Sequence, residues 1–303
     1  MSRLGQTCLG AAAGLVIDRV LGEPPADAHP VAAFGKAMRR VEQALWADRR
    51  LAGVAYAAVG VAIGAAGGRL MKSTATAVAV AAAGRELRQV AMCVGEAVVA
   101  GDLVAARAEL PILVGRDPAE LDDSGITAAV IESVAENSVD AVIAPAFWGA
   151  VAGAPGAAAY RAINTMDALV GRRYERYSNF GWAAARLDDA ANYIPARIFA
   201  ALVVALHQAQ ARQIVDAIRQ DAPAHPSPNA GFAEAAVAAA LDRQLGGPLS
   251  YEGVAEERPF LGAGPRPEPS DIEAAVGLAD RVEIAAVGLL VMAWLIDRIV
   301  SGG

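Results

Sequence analysis

Arg50 and Arg69 bracket a stretch, Leu51 to Gly68, that carries no charged residue. Its length approaches the roughly 20 residues that cross a bilayer core as a helix. In hydrocarbon the backbone must satisfy its own hydrogen bonds, and a helix does so within one segment. Other segments repeat the pattern less cleanly. The apolar run Leu4 to Ile17 has the look of a signal peptide, but Asp18 and the Pro-rich segment after it read as working protein, so the run is taken as a retained helix. Ser73 to Gly84 is uncharged but short: a buried or re-entrant piece, or the start of a longer helix through Val90 to Val99. Ala141 to Tyr160 is full length, yet Pro145, Gly153, Pro155 and Gly156 break it, and a broken span points to a cavity nearby. An apolar segment from about Ala190 continues through Ile198 to Leu206, and Ile284 to Ile296 precedes Asp297 and Arg298. The predicted fold is all-α: a polytopic membrane helical bundle with four or five transmembrane spans and a polar cap.

The cap is the charged, Pro- and Gly-punctuated segment from Ala209 to Pro269, expected in water or at the interface, with a short amphipathic helix over Ala233 to Leu245. No internal repeat is present, so residues 1–303 are read as one domain. Composition agrees with a bilayer as solvent: 55% of residues are hydrophobic, 19% are charged, and the mean hydropathy is +0.35. Much of that apolar character is Ala, Val, Leu and Gly, and small residues let membrane helices approach closely. A net charge of −7 excludes nucleic acid as a partner, because displacing counterions from phosphates requires a basic face. Cys8 and Cys93 belong to no metal or disulfide motif and are expected to be buried, inert thiols. Basic pairs flank both ends of Leu51–Gly68, so the positive-inside rule gives conflicting orientations there.

Polar residues concentrate between Asp117 and Arg197. Glu132, Glu136 and Asp140 recur at i, i+4 and i+8 and form one acidic stripe on a helix, with Asn137 beside it. Three carboxylates in line repel one another unless solvated or neutralised by a cation, and magnesium prefers such oxygens; a solvated helix face is the plain alternative. Asn164 and Asp167 are three apart, Asp189 and Asn192 three, Asp188 and Asn192 four, so each set shares a face, unless it merely caps a helix. Arg172 and Arg176, in GRRYERY, and then Arg186 and Arg197 supply guanidinium groups suited to phosphate, or to anchoring helices at headgroups. His29 lies beside Pro30; His225 and Asn229 lie in APAHPSPNAG, a turn able to face an anion.

With these residues in view the chain resembles the CobD/CbiB family of cobalamin biosynthesis from about Asp18 to Gly262. The segments that carry the likeness are DRVLGEPPADAHPVAAFGKAM (18–38), IESVAENSVDAVIAPAFW (131–148), GAPGAAAYRAINTMDALVG (153–171), ERYSNFGWAAARLDDAANYIPAR (175–197) and HPSPNAGFAEAAVAAALDRQLGGPLSYEG (225–253). The family's Arg-Asp-Thr reads Arg116-Asp117-Pro118 here, and its Gly-Ala-Leu-Gly reads Ala239-Ala240-Leu241-Asp242. The resemblance implies a multi-pass enzyme of the bacterial inner membrane that joins (R)-1-aminopropan-2-ol phosphate to adenosylcobyric acid, consuming ATP with Mg2+ and working beside other cobalamin-assembly proteins. On that reading Glu132, Glu136, Asp140, Asp167, Asp188 and Asp189 are the catalytic candidates, and Glu136, Asp140, Asp188 and Asp189 hold magnesium. His29, Asn137, Asn164, Arg172, Arg176, Arg186, Asn192, Arg197, His225 and Asn229 bind substrate. No Walker A pattern is present, so ATP must be held by another geometry. Two other classes fit the same residues: a magnesium-dependent membrane phosphotransferase or prenyltransferase, suggested by ARLDDAAN, and a corrinoid transporter or scaffold with carboxylates on a translocation path.

Overall fold

The computed structural model describes residues 2–25, 29–115, 117–171, 175–247, 249–251, 254–256 and 258–302. Its elements are α1 (Arg3–Leu21), α2 (Pro30–Leu45), α3 (Arg50–Met71), α4 (Thr74–Ala81), α5 (Gly84–Val99), α6 (Leu103–Glu109) and α7 (Asp123–Ser138), then a π-helical turn (Val139–Ile143) that leads into α8 (Ala144–Val170). There follow α9 (Trp182–Leu206), α10 (Ala211–Asp221), α11 (Ala230–Leu241), β1 (Leu245–Gly246), β2 (Leu249–Tyr251), β3 (Val254–Glu256), β4 (Phe260–Leu261) and α12 (Asp271–Gly302). Five stretches among the described residues are long and apolar enough to cross a membrane: Arg3–Leu21, Arg50–Met71, Asp123–Val170, Trp182–Leu206 and Asp271–Ser301. With 80% of the structure helical, the all-α polytopic class expected from the sequence holds.

The chain forms two compact units. Met1–Arg85, Asp140–Pro195 and Ala286–Gly303 make the first; Glu86–Val139 and Ala196–Ala285 make the second. In the first, a line of glycines on α3 seats it against α8. Gly60 meets the Met166 sulfur, Gly64 Ala162 and Gly68 the Ala154 carbonyl, so α8 runs antiparallel to α3, while Gly53 meets the Phe180 carbonyl in the turn before α9. A Cβ at any of these would overlap its neighbour, which is how small residues bring membrane helices together. Met38, Tyr56, Met166, Val170, Phe180 and Ala184 fill the core beside this seam, with the Tyr56 and Phe180 rings 5.1 Å apart.

The uncharged run from Ser73 proves to be a separate short helix, α4, packed between α1 and α8. It stops because the chain breaks at Ala82, and α5 starts afresh under the buried Asp18, whose carboxylate accepts the Arg85 N–H at 3.2 Å. A carboxylate there satisfies a free N–H and faces the positive end of the helix dipole. The expected break after Ala141 is also present. Gly153 has φ 67°, a conformation open to glycine, and Pro155 follows, so α8 is two helical pieces joined at that kink.

In the second unit α11 is buried nearly all round, against α7, α10, β1 and β4. The amphipathic helix expected over Ala233 to Leu245 is therefore not what forms. Its residues are mostly Ala, which gives no polar face to turn outward, and the helix ends at Leu241 with Asp242 in the left-handed region. β1 pairs with β4 and β2 with β3, both antiparallel. Arg243 Nε donates to Asp271 Oδ2 at 2.6 Å, and that bond raises the Arg243 pKa further. Arg88 pairs with Glu283 and Asp280. Cys8 is buried as expected, whereas Cys93 is exposed on α5.

Candidate functional site

The first unit gathers five polar side chains from the π turn, α8 and α9. Asn164 Nδ2 donates to Asp140 Oδ2 at 3.0 Å and reaches Asp188 Oδ1 at 3.4 Å, so one amide bridges two carboxylates. Asn192, one turn beyond Asp188, donates to Asp188 Oδ2 at 3.0 Å. The buried Tyr160 hydroxyl donates to Asn192 Oδ1 at 2.9 Å and lies 3.4 Å from Asp140 Oδ1. Local sequence explains the placement: Tyr160 and Asn164 are four apart on α8, Asp188 and Asn192 four apart on α9, so each pair faces one way. Ala144, Ala191 and Trp148 wall the group, and Trp148 Nε1 bonds the Ala191 carbonyl at 3.0 Å.

Depth follows from the glycine seam. Ala162 meets Gly64 and Met166 meets Gly60, so the cluster lies level with the middle of α3, a 22-residue span. Ionisable groups at that depth are costly and mark function more often than structure. Arg161 lies there too: its Nη1 reaches Asn164 Oδ1 at 3.4 Å, while its Nε is buried without a partner.

The remaining candidates of this unit are placed differently. The Asp167 carboxylate lies over Gly171, where a Cβ would overlap it, and its charge acts on Asp188. Asp189 accepts from the exposed Arg186 at 3.1 Å, turned toward that neighbour one turn back. Arg176 stacks on Trp46, 5.0 Å from the ring centre, and lies 3.6 Å from Glu42. Tyr177 donates to the same Glu42 oxygen at 2.8 Å; desolvation, then this bond, raises its pKa. His29 caps α2, its Nδ1 accepting the Val31 N–H at 3.1 Å, and its Nε2 lies 3.4 Å from Glu23. Arg172 lies outside the described residues.

In the second unit Glu132 is buried and accepts the Gly246 N–H at 2.8 Å, fastening β1 to α7. Glu136 is exposed, and Asn137 bonds back to Ser133 at 2.9 Å. The stripe expected from i, i+4, i+8 spacing does not continue at α-helical pitch, because π winding begins at Val139. Arg197 bonds Asn229 Oδ1 at 2.9 Å and the Pro228 carbonyl at 3.1 Å, and lies 3.9 Å over the Phe232 ring. The buried His225 accepts the Ser227 N–H at Nδ1 and sets Nε2 3.7 Å from the buried Glu234.

Sequence reasoning missed Tyr160, Arg161 and Glu234. The signal for the first two is in YRAIN: Tyr160 precedes Asn164 by four and Arg161 by three, so each is a neighbour of Asn164 on a helix.

Among the described residues no group of three or more His, Cys, Asp or Glu could hold a metal ion. Magnesium, however, commonly takes only one or two protein carboxylates and completes its shell with waters and substrate phosphates. Asp140 and Asp188, hard oxygen donors sharing one amide, fit an ion bound in that manner.

The family model described as CobD/Cbib protein matches residues 11–279. A cobalamin biosynthesis protein CobD of Mycobacterium tuberculosis (strain CDC 1551 / Oshkosh) is 44% identical over 299 residues, which cover 94% of this chain and 95% of the relative. Proteins of the same description from Chromobacterium violaceum and Sinorhizobium fredii are 42% and 37% identical, covering 88% and 93% of this chain and 90% and 96% of the relatives. No solved structure matches the chain.

Proposed function

This chain belongs to the CobD/CbiB family, and on that premise we propose that it acts in cobalamin biosynthesis as an adenosylcobinamide-phosphate synthase of the bacterial inner membrane. The reaction is ATP-dependent amide formation between the propionate carboxyl of adenosylcobyric acid and the amine of (R)-1-aminopropan-2-ol phosphate. The observation that carries the reading is the Asp140–Asn164–Asp188–Asn192–Tyr160 cluster, set within segments apolar enough to cross a membrane.

A carboxylate is a poor electrophile until its oxygen can leave. The terminal phosphoryl group of ATP passes to the propionate oxygen, releasing ADP; the amine nitrogen then attacks the acyl carbon, the bond to the phosphorylated oxygen breaks, and phosphate departs. An amine at neutral pH is an ammonium ion and must shed a proton before it attacks. Asp140 or Asp188 takes that proton, and Asn164 and Asn192 hold the two carboxylates in fixed orientations for it. Tyr160 keeps Asn192 in place. A magnesium ion held by Asp140 and Asp188 would offset the charge of the transferring phosphate.

The test is turnover by the purified, detergent-solubilised protein given adenosylcobyric acid, aminopropanol phosphate, magnesium and ATP, followed by mass spectrometry. ATP-dependent gain of the aminopropanol phosphate unit is the expected result. Folded protein that binds corrinoid without forming the amide would instead favour a transporter or scaffold, and transfer from a diphosphate-linked donor without ATP a phosphotransferase.

A further inference from the structure

Arg161 stands in a membrane-depth segment with most of its hydrogen-bonding capacity unspent. A guanidinium carries five N–H donors. One of them makes a long bond, 3.4 Å to Asn164 Oδ1, and the buried Nε has no partner. Among the described residues Arg161 forms no ion pair, although two carboxylates lie in the same cluster. Those carboxylates are occupied by amides: Asp140 by Asn164, Asp188 by Asn192 and Asn164. Arg161 is part-buried, and a guanidinium left uncommitted at that depth costs free energy unless an anion arrives to use it.

We propose that Arg161 is the phosphate-recognising residue of this cluster, receiving a phosphomonoester while Asp140 and Asp188 face the ammonium group of the same molecule. The inference rests on the ligase reading above and deepens it. A small phosphorylated amine carries both charges on one short skeleton and so matches a site that offers one guanidinium beside two carboxylates. A nucleotide polyphosphate has no ammonium group and could meet those carboxylates only through a magnesium ion. Recognition by the planar fork of Arg161 would also fix which end of the amine enters first, placing the nitrogen beside its proton acceptor.

The experiment measures binding to the purified full chain, without turnover, by calorimetry and by ligand-induced shifts in unfolding temperature. The ligands are aminopropanol phosphate, aminopropanol without phosphate, and a non-hydrolysable ATP analogue; the proteins are wild type, R161K and R161Q. In wild type the phosphate should strengthen binding of the amine. R161Q should weaken aminopropanol phosphate by about ten- to a hundredfold, the value of a charge-assisted hydrogen bond or two, and leave the other two ligands unchanged. R161K, which keeps the charge but loses the fork, should fall between. Equal wild-type affinity with and without phosphate would overturn the proposal, even if neither variant folds. So would a folded R161Q or R161K that binds aminopropanol phosphate like wild type, or one that loses the ATP analogue instead. Arg161-dependent binding in a protein that never forms the amide would retire the ligase reading and leave the recognition site standing.

Discussion

Tyr160 donates its hydroxyl to Asn192 Oδ1 at 2.9 Å, tying α8 to α9 at the depth of the carboxylate cluster. Asn192 in turn donates to Asp188, so the phenol orients a carboxylate through one intermediary. Tyr160→Phe leaves a buried amide oxygen without its donor, at a cost of about 1–3 kcal/mol. The expected outcome is a lower unfolding temperature in detergent together with reduced turnover. A phenylalanine variant as stable and active as wild type would show that Asn192 does not depend on the hydroxyl.

Asp188 and Asp189 are adjacent in sequence and differ in surroundings. Asp188 shares Asn164 with Asp140, while Asp189 pairs with the exposed Arg186. Asp188→Asn should lower kcat by about 10²–10⁴-fold, the range for loss of a positioned general base, and raise the magnesium concentration needed for activity. Asp189→Asn removes a solvent-exposed pair worth about 0.2–1 kcal/mol and should change turnover little. Equal losses at the two positions would mean that Asp189 shares the chemistry.

The spans are legible because charge-free length is read directly along the chain, and a break in α8 because Pro145, Gly153, Pro155 and Gly156 announce one, which the structure places at Gly153. Helical spacing offers Asn192 either Asp188 or Asp189, and the structure pairs it with Asp188. What spacing could not show is tertiary: Glu132 meets Gly246, 114 positions away, and Asn164 meets Asp140, 24 positions away. The acidic stripe presumes a 3.6-residue period through Val139, where the winding changes to π. Tyr160 and Arg161 follow the run GAPGAAA, whose apolar character hides them. α11 has no pattern to read, since alanine suits a buried face and an exposed one alike.

Glu132 offers a test of structure against chemistry. Its Oε1 accepts the Gly246 N–H in a buried setting. Glu132→Ala removes the acceptor and should cost about 1–3 kcal/mol. Glu132→Gln keeps an acceptor oxygen in the same place and should cost less. Activity is expected to follow stability across the pair, measured as residual turnover after matched thermal challenge. A glutamine variant with wild-type stability and no turnover would return Glu132 to the reaction itself.

Gly53 and Gly67 lie on the same helix and make a matched comparison. A Cβ at Gly53 would overlap the Phe180 carbonyl, a backbone oxygen that no side-chain rotation can move aside. At Gly67 nothing lies within 4 Å of that position. Alanine favours a helix over glycine by about 1 kcal/mol, so Gly67→Ala should be neutral or stabilising. At Gly53 the same gain is opposed by forced separation of α3 from the turn that precedes α9, an overpacking cost of about 1–3 kcal/mol. Gly53→Ala is therefore expected to be destabilising relative to Gly67→Ala, and to reduce turnover as well, because the α3–α8 seam sets the depth of Tyr160, Arg161 and Asn164. The two unfolding temperatures, measured side by side in one detergent, decide it: matching shifts would place Phe180 away from α3 and remove the packing argument for where the cluster lies.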